Sequence, residues 1–133
     1  MMRSILAVLA GFVTWFVVAT LCNFLVRALL PGYTAAEPTM AFTLAMMIAR
    51  LGLAVVSSLV AGYVCSAVAR GNLGAVYVCA VLLVLCFLPV HYSFWHKFPA
   101  WYHLFFLVTL APLVLLGAAV QRRGRIAPPL RNT

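Results

Sequence analysis

The sequence has almost no acidic side chains. Glu37 is the only Asp or Glu among 133 residues, and it lies in the loop-like stretch 30–40, LPGYTAAEPTM. A proton-coupled exporter needs a carboxylate within the membrane to exchange protons and substrate. Hydrolysis inside the membrane needs an acid, a base and a nucleophile together, which one loop glutamate cannot complete. The shortage of carboxylates therefore argues against both classes of protein.

Paired cysteines are also missing. The four cysteines stand at positions 22, 65, 79 and 86, inside apolar runs, and never in a C-x-x-C arrangement. A disulfide relay or a thiolate metal site requires paired or clustered thiols. Isolated cysteines in apolar surroundings behave as small hydrophobic side chains, and we interpret these four in that way.

Charged residues of any kind are scarce. They make up 8% of a chain that is 67% hydrophobic, with a mean hydropathy of +1.16, which is too little polar surface for a soluble domain of this size. Apolar runs of about 20 residues cross a bilayer as helices. The sequence predicts an all-α integral membrane four-helix bundle, with helices near 5–27, 50–70, 73–90 and 100–120 in one domain (1–121), followed by a basic cytoplasmic tail (122–133).

The second apolar stretch is ambiguous because Arg50 interrupts residues 40–69. One continuous helix of that length would reach roughly 45 Å, which exceeds the hydrocarbon thickness. Either residues 40–49 lie in the interface and the span follows Arg50, or one long tilted helix protrudes. We favour the break, with Arg50 extending toward the headgroups.

The positive charges mark the topology. Nine Lys or Arg give a net charge of +8, and most stand at the ends of apolar runs rather than on a basic face that could bind nucleic acid. The predicted spans divide them six to three, a bias that places both termini in the cytoplasm and differs from the balance of dual-topology channels. The six are Arg3, Arg70, Arg122, Arg123, Arg125 and Arg131, and the three are Arg27, Arg50 and Lys97.

Small residues recur every fourth position in the second span. They are Ala54, Ser58, Gly62 and Ser66. Such a face lets a neighbouring helix approach closely, as small-xxx-small patterns do in membranes. We expect this helix to form the centre of the bundle.

The stretch 91–103, HYSFWHKFPAWYH, is an aromatic hairpin between two spans, and it has two interpretations. In the first it is an interfacial belt, since Trp and Tyr collect at headgroup depth; its members are Tyr92, Trp95, Trp101 and Tyr102. In the second, His91 and His103 converge to bind haem or a metal ion, with His96 as a further metal ligand. No acid lies nearby to orient a ring, which favours the belt.

Arg27 and Arg50 are predicted to lie on the same side of the membrane as this hairpin. Arginine suits phosphate because its planar fork can donate two parallel hydrogen bonds, so the pair could contact a lipid headgroup or a small anion. In the alternative interpretation they are membrane anchors, and one of them pairs with Glu37.

The phrase FPAWYHLFFLVTLAPLVLLGA (98–118), preceded by HYSFWHK and by AGYVCSAVAR (61–70), resembles a family of small, uncharacterised bacterial inner-membrane proteins with four helices. The resemblance covers the second half of the chain. It implies a four-helix fold and a bacterial inner membrane, and it carries no activity.

Taken together, the sequence predicts a small non-enzymatic membrane protein. We expect an accessory or structural subunit, without a cofactor, that binds membrane lipids, another membrane protein or further copies of itself, and no nucleic acid. Two alternatives stay open: a haem- or metal-binding electron-transfer subunit that uses His91 and His103, and a permease for a small solute or anion beside Arg50.

Overall fold

Four long apolar helices account for most of the chain. The computed structural model describes residues 1–126, and no strand occurs among them. All four are long and apolar enough to cross a bilayer, which confirms the predicted all-α membrane bundle. The helices are α1 (Met2–Leu29), α2 (Tyr33–Ala36), α3 (Leu44–Val68), α4 (Leu73–Ser93) and α5 (Ala100–Ile126), with a 3-10 turn at Glu37–Thr39.

The boundary predicted at Arg50 is wrong. Helix α3 begins at Leu44, where the Thr43 hydroxyl accepts a 3.4 Å hydrogen bond from the backbone N–H of Met46, and it runs through Arg50 without a break. The guanidinium of Arg50 donates hydrogen bonds to neighbouring side chains, so its charge is accommodated within a continuous helix. The residues assigned to an interfacial segment are thus divided between a short loop and the first turns of α3.

Two helix ends also differ from their predicted positions. Helix α4 continues past Pro89 to Ser93, because the loss of one backbone donor and the crowding of one carbonyl do not end the helix here. Helix α5 continues to Ile126, so residues 122–126 of the predicted tail are helical. The rest of that tail, with Arg131, lies outside the described residues.

Helix α3 lies at the centre of the packing. It packs along α1 on one side and along α5 on the other, and α4 closes the ring against α5 and α1. The closest approach is to α5, where Gly62 faces the backbone of Val114 and Gly117 faces the backbone of Leu59, with no room for a Cβ atom at either glycine. Glycine thus sets the distance between α3 and α5.

The two ends of the bundle have different contents. At one end the N-terminus, the α3–α4 turn and the last turns of α5 meet: Asn72 donates to the Ser4 hydroxyl at 3.4 Å, and Gly71 lies beside Arg122. The other end, which we call the Arg50 end, holds the α1–α3 connection and the α4–α5 turn. Many large apolar side chains on the outer faces are exposed, as a bilayer-facing surface requires.

Candidate functional site

A cavity of about 490 Å³ lies within the Arg50 end of the bundle. This volume is typical of small-molecule sites. Its wall toward the middle of the bundle is aromatic, and its wall toward the Arg50 end, which we call the rim, carries polar side chains, so the cavity is amphipathic. The lining side chains that matter below are Trp15, Phe87 and Phe106 in the wall, and Asn23, Arg27, Arg50, His91, Tyr102 and His103 at the rim.

Exposed residues of α1 and α4 line one side of the cavity, which indicates a sideways opening between these two helices. Phe16, Thr20 and Phe24 of α1 and Val90 of α4 line it, and all four are exposed on the outer surface of the bundle. These residues belong to helices long enough to span a membrane. The opening therefore faces the lipid phase as well as the Arg50 end.

Arg50 contacts other residues of the protein at this end of the bundle, and its predicted reach toward the headgroups stays a prediction. Its Nη1 donates to the Tyr33 hydroxyl at 2.8 Å and its Nε to the Tyr102 hydroxyl at 3.4 Å. The Phe42 ring lies 4.9 Å from the guanidinium carbon, at cation–π distance. Neutral groups from three different segments thus fix a half-buried positive charge at the rim of the cavity.

Glu37 is bound by Arg27 and not by Arg50. Nε of Arg27 donates to both carboxylate oxygens at 3.1 and 3.0 Å, and its Nη2 lies 2.9 Å from Oε2. Asn23 donates to the same carboxylate at 3.2 Å. Burial by itself would raise the pKa of Glu37, but these hydrogen bonds and the charges of Arg27 and Arg50 outweigh it and hold the pKa below its usual value.

Tyr33 connects Arg50 to the Arg27–Glu37 ion pair. Its hydroxyl accepts from Arg50 and donates to Oδ1 of Asn23 at 2.9 Å, and its side chain is fully buried. The sequence analysis did not identify Tyr33 or Phe42 as site residues. A sequence signal for them existed, because two aromatic residues in the short connection between α1 and α3 are unusual where polar residues are common.

His91 and His103 meet at the rim of the cavity. Their Nδ1 atoms are 2.7 Å apart, so one ring donates a hydrogen bond to the other. Trp95 stacks on His103 with ring centroids 4.8 Å apart. His103 is completely buried, and its Nε2 has no hydrogen-bond partner in residues 1–126. His96 is exposed in the turn and does not join the pair.

The spacing of these nitrogens fits a hydrogen bond better than a shared metal ion. Zinc holds imidazole nitrogens at about 2.0–2.1 Å, which puts two of them roughly 3.3 Å apart on one tetrahedral ion. The facing Nδ1 atoms are closer than that. Within the described part of the chain, no group of three His, Cys, Asp or Glu side chains could hold a metal ion.

The four predicted belt residues separate into two groups. Tyr92, Trp95 and Trp101 are exposed at the Arg50 end. Tyr102, by contrast, is only 4% exposed and packs in the interior. The reason is the helical turn, which points neighbouring residues such as Trp101 and Tyr102 in different directions. Tyr102 therefore contacts Arg50 and does not lie in the belt.

The predicted packing residues are all buried: Ala54, Ser58, Gly62 and Ser66. Ser58 accepts a 3.0 Å hydrogen bond from the Trp15 indole of α1, and Ser66 donates to the Gln121 side chain of α5 at 3.0 Å. This stripe therefore contacts both neighbours of α3. Gly62 and Ser66 lie in the half of the bundle away from the cavity, whereas Ser58 binds Trp15 of the cavity wall.

No protein-family model, no curated protein and no solved structure matches this chain. Its function is therefore argued from the cavity and the side chains that line it.

Proposed function

We propose that this protein is a lipid-binding accessory or structural subunit of a membrane, and that the cavity at the Arg50 end receives the lipid. The observation that carries the proposal is the combination of an aromatic wall, a polar rim and a sideways opening in one cavity. A lipid has the matching division into tail and headgroup. It would enter between α1 and α4 without leaving the bilayer.

Binding accounts for the packing better than permeation does. The residues that line the cavity belong to the Arg50 half of the helices. In the other half, Gly62 and Gly117 bring α3 and α5 together, and Gly11 packs against Cys65 and Cys79. A permease would need a path through this closely packed half.

The electron-transfer alternative has less support from the histidine geometry. A metal ion shared by His91 and His103 would have to separate nitrogens that now share a hydrogen bond. An absorption spectrum and elemental analysis of protein purified gently from its native membrane would test it. Stoichiometric iron, copper or zinc that is lost in His103→Ala would favour that alternative over a lipid site.

We also infer that the membrane is the bacterial inner membrane and that both termini are cytoplasmic. The resemblance in the second half of the chain supports the first statement. The second rests on the positive-inside rule. Arg3, Arg70 and Arg123 belong to the end of the bundle opposite Arg50, and that end carries the larger share of arginine.

Filling the cavity tests the lipid-binding role. Ala19 lines the cavity, so Ala19→Phe places a ring inside it, while Ala28→Phe makes the same change at an exposed site on the same helix. We expect native mass spectrometry to find lipid retained by the unchanged protein and by the Ala28 variant, and much less by the Ala19 variant. Equal retention by both variants would contradict the proposal.

A further inference from the structure

We infer that the lipid in this cavity carries an oxyanion headgroup with one net negative charge, held by Arg50 and within the reach of His103. The inference rests on the proposed lipid-binding role and adds the chemistry of the headgroup. It follows from the charge balance of the chain and from one buried nitrogen that has no partner.

No anion is in contact with Arg50 within residues 1–126. Glu37 is the only acidic side chain in the sequence, and both of its oxygens are taken by Arg27. The groups that contact Arg50 are hydroxyls and a ring, which carry no charge. A half-buried cation in apolar surroundings is stabilised strongly by a counter-charge. The cavity that Arg50 lines is the place from which a ligand can supply one.

The guanidinium is also oriented for an oxyanion. Tyr33 and Tyr102 each accept one hydrogen bond from it, and Phe42 covers one face. Further N–H groups of the planar fork stay available, and arginine donates such groups in pairs to phosphate or carboxylate oxygens. Because three residues already hold the side chain, binding requires little further ordering of Arg50.

His103 supplies an independent indication of a ligand. It lines the same cavity, it is completely buried, and Nε2 is the one buried side-chain nitrogen or oxygen without a partner within residues 1–126. Buried polar atoms are nearly always hydrogen-bonded. If His91 donates to Nδ1 of His103, then Nε2 carries a proton and can donate it to a headgroup oxygen. Because the ring is completely buried, a covering side chain must move before a headgroup oxygen can reach and satisfy this nitrogen.

The sideways opening selects a lipid as the source of the oxyanion. A soluble phosphate would need only the polar rim, and it would leave the aromatic wall and the gap between α1 and α4 without an occupant. A lipid with the same headgroup chemistry uses all three. The proposal therefore names an anionic lipid, with inorganic phosphate as the competing source.

The experiment uses the full chain and compares how well it retains lipids with different headgroups. Protein is reconstituted into vesicles of equal parts phosphatidylglycerol and phosphatidylcholine, and native mass spectrometry measures the lipid retained. We expect the anionic lipid to be retained preferentially, by about tenfold, as a charge-assisted contact allows. In Arg50→Gln the preference should disappear while some lipid of either kind is still retained.

Two further variants control for charge and folding. Lys97→Gln removes an equal charge at the same end of the bundle, from an exposed residue that does not line the cavity, and should keep the preference. Arg50→Lys keeps the charge but loses the fork, and should keep a reduced preference even if Arg50→Gln does not fold. His103→Phe should weaken retention of phosphatidylglycerol more than that of phosphatidylcholine.

Each contrary outcome has a distinct meaning. Equal retention of the two lipids by the unchanged protein would overturn the charge inference and leave lipid binding intact. No retained lipid, with no effect of Ala19→Phe, would overturn both proposals. Displacement of phosphatidylglycerol by inorganic phosphate would assign the oxyanion to a soluble ligand and overturn the lipid as its source.

Discussion

Gly62 of α3 lies directly against the backbone carbonyl of Val114 of α5, with no space between them for a methyl group. The contact is reciprocal, since Gly117 of α5 lies in the same way against Leu59 of α3. In a bilayer, where apolar side chains gain little by leaving lipid, such close backbone packing is a main source of helix association. The α3–α5 pair is therefore expected to determine the stability of the bundle.

Gly62→Ala tests this contact. The added methyl group must push α3 and α5 apart, and overpacking of this kind costs about 1–3 kcal/mol in the free energy of unfolding. The matched control is Gly52→Ala on the same helix, where an added Cβ meets nothing within 4 Å. Thermal unfolding in detergent should show a lower midpoint for the Gly62 variant alone. Equal midpoints would show that the helices can shift without loss.

Ser58→Ala tests the contact between α3 and α1. The Ser58 hydroxyl accepts from the buried Trp15 indole at 3.0 Å, and its loss leaves that N–H without a partner. We expect a loss of about 1 kcal/mol in unfolding free energy. Ser57→Ala is the control, because its buried hydroxyl bonds only to Leu53 in its own helix. Tryptophan fluorescence during denaturation would separate the two variants.

The ion pair of Glu37 predicts a pH dependence at the Arg50 end. Because the folded state lowers the pKa of Glu37 from its usual value of 4.5, the carboxylate stabilises the fold above that value. This stability is lost as the pH falls through the lower pKa of the folded state. Unfolding followed between pH 7 and pH 3 should show the loss, and Glu37→Gln should reduce it. An unchanged profile in that variant would assign the acid sensitivity to other groups.

Thiol labelling tests the predicted topology. A cysteine in place of Lys97 should react with a membrane-impermeant reagent added outside intact cells, and one in place of Arg123 should react only after lysis. The native cysteines lie within the apolar helices, so the unchanged chain serves as the unlabelled control. The reverse pattern would place both termini outside.

The helices could be predicted from the sequence because a long apolar run in a bilayer satisfies its backbone hydrogen bonds best as a helix. The start of α3 could not, because the cost of burying Arg50 depends on contacts with Tyr33, Phe42 and Tyr102, which only the tertiary structure brings together. The interior position of Tyr102 was missed for a related reason. A Trp-Tyr pair signals an interface by composition, whereas the helical turn determines which ring faces it.

The site could be predicted only in its components. The sequence identified Arg27 and Arg50 as a pair with similar roles, but the single carboxylate binds Arg27 and makes no contact with Arg50. It also suggested that His91 and His103 converge, and the two rings are in contact; a cofactor role for them stays a prediction. The tertiary structure determines which arginine binds Glu37, and no local sequence pattern predicts that choice.

The uneven packing of the bundle has a consequence for how the chain can vary. Where α3 meets α5 at Gly62 and Gly117, backbone lies on backbone, and almost any side chain added there forces the helices to separate. Around the cavity, a lining residue such as Ala19 has open volume beside it, so a larger side chain there costs the fold less. One half of the molecule thus preserves the architecture, which leaves the other half free to change its ligand.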